Sequence, residues 1–192
     1  MPSRYDDELW DLVPEDPGSP PEHLVVFVRG LGGAQRALDL GCGDGRLTRE
    51  LDAAEIVGAD VSEVALDRAA RRVPGAHRVD LIPDAPLPLE DASFDLVLCS
   101  ETIEHVRDVQ LLLSEVRRVL RPGGTLALTT PAHGRRTTLR ALLTGFGRVF
   151  PPLSPHLRFF TLRSLTGLLA DMGFEMVDVS RRRGTLLTVA RR

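Results

Sequence analysis

Short apolar runs alternate with longer stretches of helical periodicity along most of this chain. That alternation restricts it to an α/β fold, with parallel strands in one sheet and helices laid over them. ALDLG (37–41), EIVGADV (55–61), AHRVDL (76–81), FDLVLCS (94–100) and TLALTTP (125–131) read as five strands, FDLVLCS as a fully buried central one. RLTRELDAA reads as helical, and so does SEVALDRAARRV, with Ser62 as N-cap and Val64, Leu66, Ala69 and Ala70 as its apolar face. DVQLLLSEVRRVLRPGG predicts a helix stopped by Pro122-Gly123-Gly124, with Leu111–Leu113 in its core face.

Farther along, TLRALLTGF predicts a short amphipathic helix and PPLSP (151–155) a break. TLRSLTGLLADMGF predicts a helix from Thr161 to Gly173, and EMVDVSRR with TLLTVARR an antiparallel hairpin at a sheet edge. DDELWDL and PEHLVVFVRGL predict one or two helices packed on the sheet. A length of 192 residues suits one well-buried core. The expectation is a single domain, 1–192, with a helical segment at 1–35 and a basic insertion at 132–160.

No apolar run approaches the roughly 20 residues that span a bilayer. The acidic start MPSRYDDELWDL lacks the basic-then-apolar pattern of a secretory signal, so a cytoplasmic location is expected. Cys42 and Cys99, without CxxC spacing, read as reduced thiols. His23 and His77 read as surface residues. Charge is unevenly spread: residues 1–131 carry 24 acids and 13 arginines, residues 132–192 carry 3 acids and 11 arginines.

DLGCGDGR places Gly41, Gly43 and Gly45 directly between a strand and a helix, where glycine lets backbone approach a ligand closely. A dinucleotide fingerprint needs a small residue where Arg46 stands. Asp39 and Asp44 flank the loop and suit a ligand with cationic groups, such as the ammonium and sulfonium of S-adenosylmethionine. Asp60 ends the second strand, where a carboxylate can accept hydrogen bonds from both hydroxyls of a ribose. Asp80 ends the third, placed for the exocyclic amine of an adenine against which Leu81 packs.

ALDLGCGDGRLTREL, VGADVSEVALDRA, FDLVLCSETIEHV and VLRPGGTLALTTP together resemble a class I S-adenosylmethionine-dependent methyltransferase, over roughly 36–131. FFTLRSLTGLLADMGFEMVDV resembles that family's last helix and sixth strand. The resemblance implies a Rossmann-like, seven-stranded, mostly parallel sheet of order 3-2-1-4-5-7-6, with strand seven antiparallel. It also implies cofactor contacts at Asp39, Gly41, Gly43, Gly45, Asp60, Val61, Asp80 and Leu81, with Ser100 near the methionine end. Trp10 and Tyr5 fall in a segment that in this family often folds over the cofactor.

Glu101, Glu104 and His105 leave the carboxyl end of the fourth strand, and a turn of helix in ETIEHV would bring them together. Two carboxylates and an imidazole can bind Mg²⁺, Mn²⁺, Fe²⁺ or Zn²⁺. Glu-x-x-Glu-His resembles two metal-assisted groups: ubiquinone-biosynthesis O-methyltransferases and small-RNA ribose 2′-O-methyltransferases. Both use a further distant histidine, which His156 in LSPHLRFFT matches in position, with His133 as competitor. Val106 stands where the RNA enzymes carry a second histidine. The alternative needs no metal: His105 acts as a general base or caps a loop, with the glutamates solvated or paired to arginine.

The expected activity is O-methylation of a small-molecule hydroxyl, with His105 catalytic. The alternatives are RNA ribose methylation, or metal-independent N- or C-methylation. The segment 132–160 carries five arginines and no acid, interleaved with Leu, Phe and Val. Leu139, Leu142, Leu143, Phe146, Val149 and Phe150 have helical spacing, with Arg136, Arg140 and Arg148 on other faces. A lid over a hydrophobic substrate, a peripheral membrane contact through 135–150, an anion-binding patch for a phosphorylated or nucleic-acid substrate, and a plain cover for the sheet all fit that pattern. Phe159 and Phe160 are expected in the core.

Overall fold

A computed structural model of the chain describes residues 4–151 and 154–192. The expected break at 151–155 lies partly outside the described residues, as does the side chain of Arg136, counted above among the arginines of the basic helix. The sheet has seven strands in the order β3-β2-β1-β4-β5-β7-β6. Strands β1 (Ala34–Leu40), β2 (Ala53–Asp60), β3 (His77–Asp80), β4 (Phe94–Ser100) and β5 (Leu120–Pro131) are parallel, while β7 (Thr185–Arg191) runs antiparallel to both β5 and β6 (Glu175–Arg182). Register aligns the strand ends: Leu38 stands between Val57 and Val97, and Asp60 beside Asp80.

Period-two alternation divides the central strands between two cores. Leu38, Leu40, Val97, Cys99, Leu126 and Leu128 meet α4 (Val109–Val119) and α7 (Leu162–Asp171) through Leu113, Val116, Leu165 and Leu169. Ala37, Leu96, Leu98 and Ala127 point the other way, toward Val28 of α2 (Glu22–Arg29) and Leu51. Each fully buried leucine here contributes about 1.5–3 kcal/mol. Helix starts are tied by their own side chains. Ser62 Oγ accepts from Ala65 N of α3 (Glu63–Arg72) at 3.2 Å, and Thr161 with Ser164 forms a reciprocal capping box on α7. Such caps contribute about 1 kcal/mol each.

Five expectations need correction. RLTRELDAA holds only a 3₁₀ turn, Thr48–Glu50, because β2 begins already at Ala53 and the Thr48 hydroxyl is drawn 2.6 Å from Asp39. Helix α4 ends at Val119, before the Pro-Gly-Gly that was expected to stop it. Leu120 already pairs with Phe94, and Gly123 at φ +77° lies within an irregular β5. Ala65, not Ala70, completes the buried face of α3. His23 is half-buried with Nε2 3.3 Å from Thr185 Oγ1, whereas His77 is exposed. Phe160 is buried, but Phe159 is exposed and packs on Phe150 and His133 instead.

Both cysteines are free and buried. No helix among the described residues is long and apolar enough to cross a membrane.

Candidate active site at the carboxyl edge

At the end of β1 the chain turns through Gly41 and Gly43, both at positive φ (+76° and +54°). A Cβ on Gly41 would stand 2.4 Å from Thr102 Oγ1, and one on Gly43 2.8 Å from Trp10 Cζ2. Both positions therefore exclude a side chain on conformational and steric grounds. The loop is fastened to the end of β2: Gly41 N donates to the Ala59 carbonyl (2.8 Å), and Gly43 N to Asp60 Oδ2 (2.8 Å). Asp60 Oδ1 accepts from Ser62 N at 3.0 Å. Burial raises the Asp60 pKa, and these backbone donors oppose the rise.

The other acids have settled partners. Asp39 is buried and accepts from Thr48 Oγ1; burial pushes its pKa up to about 7, against the hydrogen bond and with the charge of Asp60. Asp44 is also buried, with Arg46 Nε at 3.0 Å and Arg72 Nη1 at 2.9 Å. Its charge is thus met within the protein, and Arg46 serves that ion pair. This corrects the reading of Asp44 as an acid offered to a cationic ligand. Asp80 is exposed and paired to Arg78 at 2.7 Å, while Leu81 N donates to the Asp60 carbonyl at 2.8 Å. Val61 and Leu81 are half-buried at this edge.

Helix α1 (Arg4–Asp11) covers the loop. Trp10 rests on Gly43, and Asp7 accepts from Ser62 Oγ at 2.7 Å, placing a carboxylate at the start of α3. Arg68 holds the following turn through the Val13 carbonyl, at 2.9 Å. Tyr5, by contrast, is exposed.

At the end of β4, Ser100 Oγ lies 2.8 Å from Thr129 Oγ1, and that hydroxyl lies 3.0 Å from a carboxylate oxygen of Glu101. Glu101 has a left-handed backbone, φ +52°, unusual outside glycine. Burial, then the neighbouring Glu104, raises its pKa to about 7. The next residues form a 3₁₀ turn, Ile103–His105, that drives Glu104 inward. Glu104 is 1% exposed; Thr130 Oγ1 donates to its Oε2 at 2.9 Å, and its Oε1 has no hydrogen-bond partner among the described residues. Burial raises its pKa.

His105 Nδ1 lies 3.1 Å from the Pro155 carbonyl, which can only accept. The proton therefore belongs on Nδ1, and Nε2 keeps a free lone pair. Burial lowers the pKa of His105 and of His156, the latter also through the charge of His105. Ligand atoms of Glu104, His105 and His156 lie within 4.8 Å of one another. Glu101 stands beside this group with its carboxylate turned to Thr129. His133 stays apart, its ring against Phe159 at 5.0 Å, with neither ring nitrogen hydrogen-bonded among the described residues.

Thr48, Thr102, Thr129 and Thr130 support the acids and the loop, and sequence reasoning passed over all four. Three of them sit in or beside apolar runs, where a hydroxyl looks like one more β-branched strand residue. The adjacent pair in LALTTP, at the end of a buried strand, was the one available signal.

Residues 38–128 match the family described as "Methyltransferase domain". The chain is 36% identical over 152 residues, 73% of its length and 52% of the relative's, to a probable S-adenosylmethionine-dependent methyltransferase of Mycolicibacterium smegmatis. It is 30% identical over 76% of its length to the O-methyltransferase cnsE of Penicillium expansum, covering 54% of that protein. It thus spans about half the length of these curated relatives. Among solved structures, an S-adenosylmethionine-dependent methyltransferase from Mesorhizobium loti superposes with a TM-score of 0.69 at 25% identity, over 93% of this chain and 100% of the other.

Proposed function

We propose, from the match of residues 38–128 to the methyltransferase-domain family, that the chain moves a methyl group from S-adenosylmethionine to a hydroxyl oxygen of a small molecule, assisted by a divalent cation. The observation that carries the oxygen-directed, metal-assisted part is the convergence of Glu104, His105 and His156 beside the end of β4, with one buried Glu104 oxygen that has no hydrogen-bond partner among the described residues. The likeness to an O-methyltransferase of Penicillium expansum supports it.

The residues suit the cofactor. At Gly41 and Gly43 a Cβ would crowd Thr102 and Trp10, and the Asp60 carboxylate, already fixed by two backbone N–H groups, has lone pairs left for ribose hydroxyls. Asp80 and Leu81 extend the same edge toward an adenine, and Ser100 toward the methionine end. When bound, the cofactor supplies a methyl group whose departure leaves a neutral thioether, so no acid is required of the protein.

The residues also suit a cation. Glu104 would contribute a carboxylate, and His105 and His156 neutral imidazoles, the ligating form that their lowered pKa values favour at neutral pH. Mg²⁺, Mn²⁺, Fe²⁺ or Zn²⁺ would there lower the pKa of an acceptor hydroxyl. His105 orients through Pro155, and Thr130 holds the second oxygen of Glu104 in place.

A second reading dispenses with the metal. The free Nε2 of His105 is then the base that takes the acceptor proton. Two measurements separate the readings: calorimetry with S-adenosylhomocysteine, and turnover with chelator followed by metal restoration. The proposal expects cofactor binding in both conditions and turnover only with metal. Unchanged turnover in chelator leaves the His105 reading; absence of cofactor binding sinks both.

A further inference from the structure

The insertion after β5 presents a face that the rest of the described fold leaves open. In α5 (Arg135–Thr144), Leu139, Leu142 and Leu143 fall at helical spacing on one side; beyond the break at Gly145, Phe146 opens α6 (Phe146–Val149). They point outward: Leu142 is 78% exposed and Phe146 69%. No described residue of either helix is buried. An apolar stripe meant to cover the sheet would be buried against it, and one meant for water would carry charge.

Charge is present in the same stretch of chain, and it is of one sign. From 132 to 170 the chain has six arginines and no acid. Of these, Arg140, Arg148, Arg158 and Arg163 are exposed.

We propose that this face docks on the surface of an anionic lipid bilayer. The leucines and Phe146 enter the boundary between headgroups and acyl chains, and the arginines meet lipid phosphates. The aliphatic side chains favour this occupant over a nucleic acid. Leucine gains little from a sugar-phosphate surface, where aromatic planes would be used for stacking, but gains by leaving water for hydrocarbon.

The same segment is tied to the candidate site. Leu157 N and Arg158 N donate to the Glu104 carbonyl at 2.8 and 3.1 Å, next to His156. Phe146 of α6 packs on Phe150 (ring centroids 4.8 Å apart), and Phe150 on Phe159 (4.3 Å), beside that segment. A bilayer held through Phe146 would therefore lie close to the residues proposed to receive the acceptor, and would suit an acceptor that partitions into lipid.

The test is flotation of the whole chain with phosphatidylcholine vesicles, with and without phosphatidylglycerol. Because it needs neither cofactor nor turnover, its outcome is independent of the methyl-transfer reading. The expected result is retention on the anionic vesicles, weakened by salt and weak on phosphatidylcholine alone. Replacing Leu142→Asp and Leu143→Asp together should lower partitioning by at least about tenfold, at an unchanged melting temperature. Arg140→Glu with Arg148→Glu should lower it on anionic vesicles only.

Failure of the folded wild type to float with anionic vesicles overturns the proposal. So does equal partitioning to both lipids, or partitioning that neither double variant changes. Binding to a single-stranded RNA without vesicle binding would reassign the face to nucleic acid.

Discussion

The ring of His156 stands edge-on to that of His105, with centroids 4.8 Å apart and planes at 83°. One histidine comes from the 3₁₀ turn after β4 and the other from the segment before α7. Burial makes the charged form costly for both, and the charge of His105 adds to the cost at His156.

A pH dependence follows, with a definite sign. Both histidines titrate below the ordinary 6.5 in the folded chain, so on acidification the unfolded chain takes up their protons first. Their contribution to stability is complete above that value and is lost as pH falls through it toward the folded pKa values. Asp39 and Glu101, raised to about 7, act in the opposite direction, because the folded chain protonates them first. The difference between wild type and His156→Gln isolates the imidazole part. Urea denaturation from about pH 8 to about pH 5 should show the variant losing less stability on acidification; a steeper loss in the variant would contradict the assignment.

Glu104→Gln should separate stability from activity. The amide keeps the size of the side chain and can still accept from Thr130, but it removes a charge that burial disfavours. Thermal stability at neutral pH should rise when both proteins are compared free of metal. Turnover should fall by at least about 100-fold as the cation is lost, with S-adenosylhomocysteine affinity retained. Metal content measured by atomic emission checks the cause.

Thr48→Val tests the support of Asp39. The hydroxyl bond favours the ionised carboxylate, so removing it raises a pKa already near 7 and makes the charged form costlier. The expected loss is about 1–3 kcal/mol, greater at about pH 8 than at about pH 6, where a protonated Asp39 needs the donor less. Chemical denaturation at the two values reads the difference.

Gly43→Ala tests the closeness of α1 to the loop. The substitution places a Cβ 2.8 Å from Trp10 at a φ of +54°. It should cost about 1–3 kcal/mol of stability. Adding Trp10→Ala should recover the steric share but not the backbone share, so the two losses combine less than additively. Trp10 is the sole tryptophan, so its fluorescence in the wild type and in Gly43→Ala also reports ligand arrival at the loop.

Much of this fold was legible along the chain, and for a local reason. FDLVLCS became β4 residue for residue, Ser62 and Thr161 cap the helices expected of them, and the glycines sit where the backbone turns. Apolar periodicity, capping and glycine placement depend on neighbours a few residues away, which a sequence displays directly. Partnership across the chain is not displayed. Only the assembled sheet gives Asp44 to Arg72, brings His156 rather than His133 to His105, turns RLTRELDAA into a single turn, and leaves the leucines of α5 outside. Each of these depends on which strand ends and loops meet in space. Burial and charge pairing are set there, so local composition could nominate the acids and histidines of the site but not say which of them remain available to a ligand.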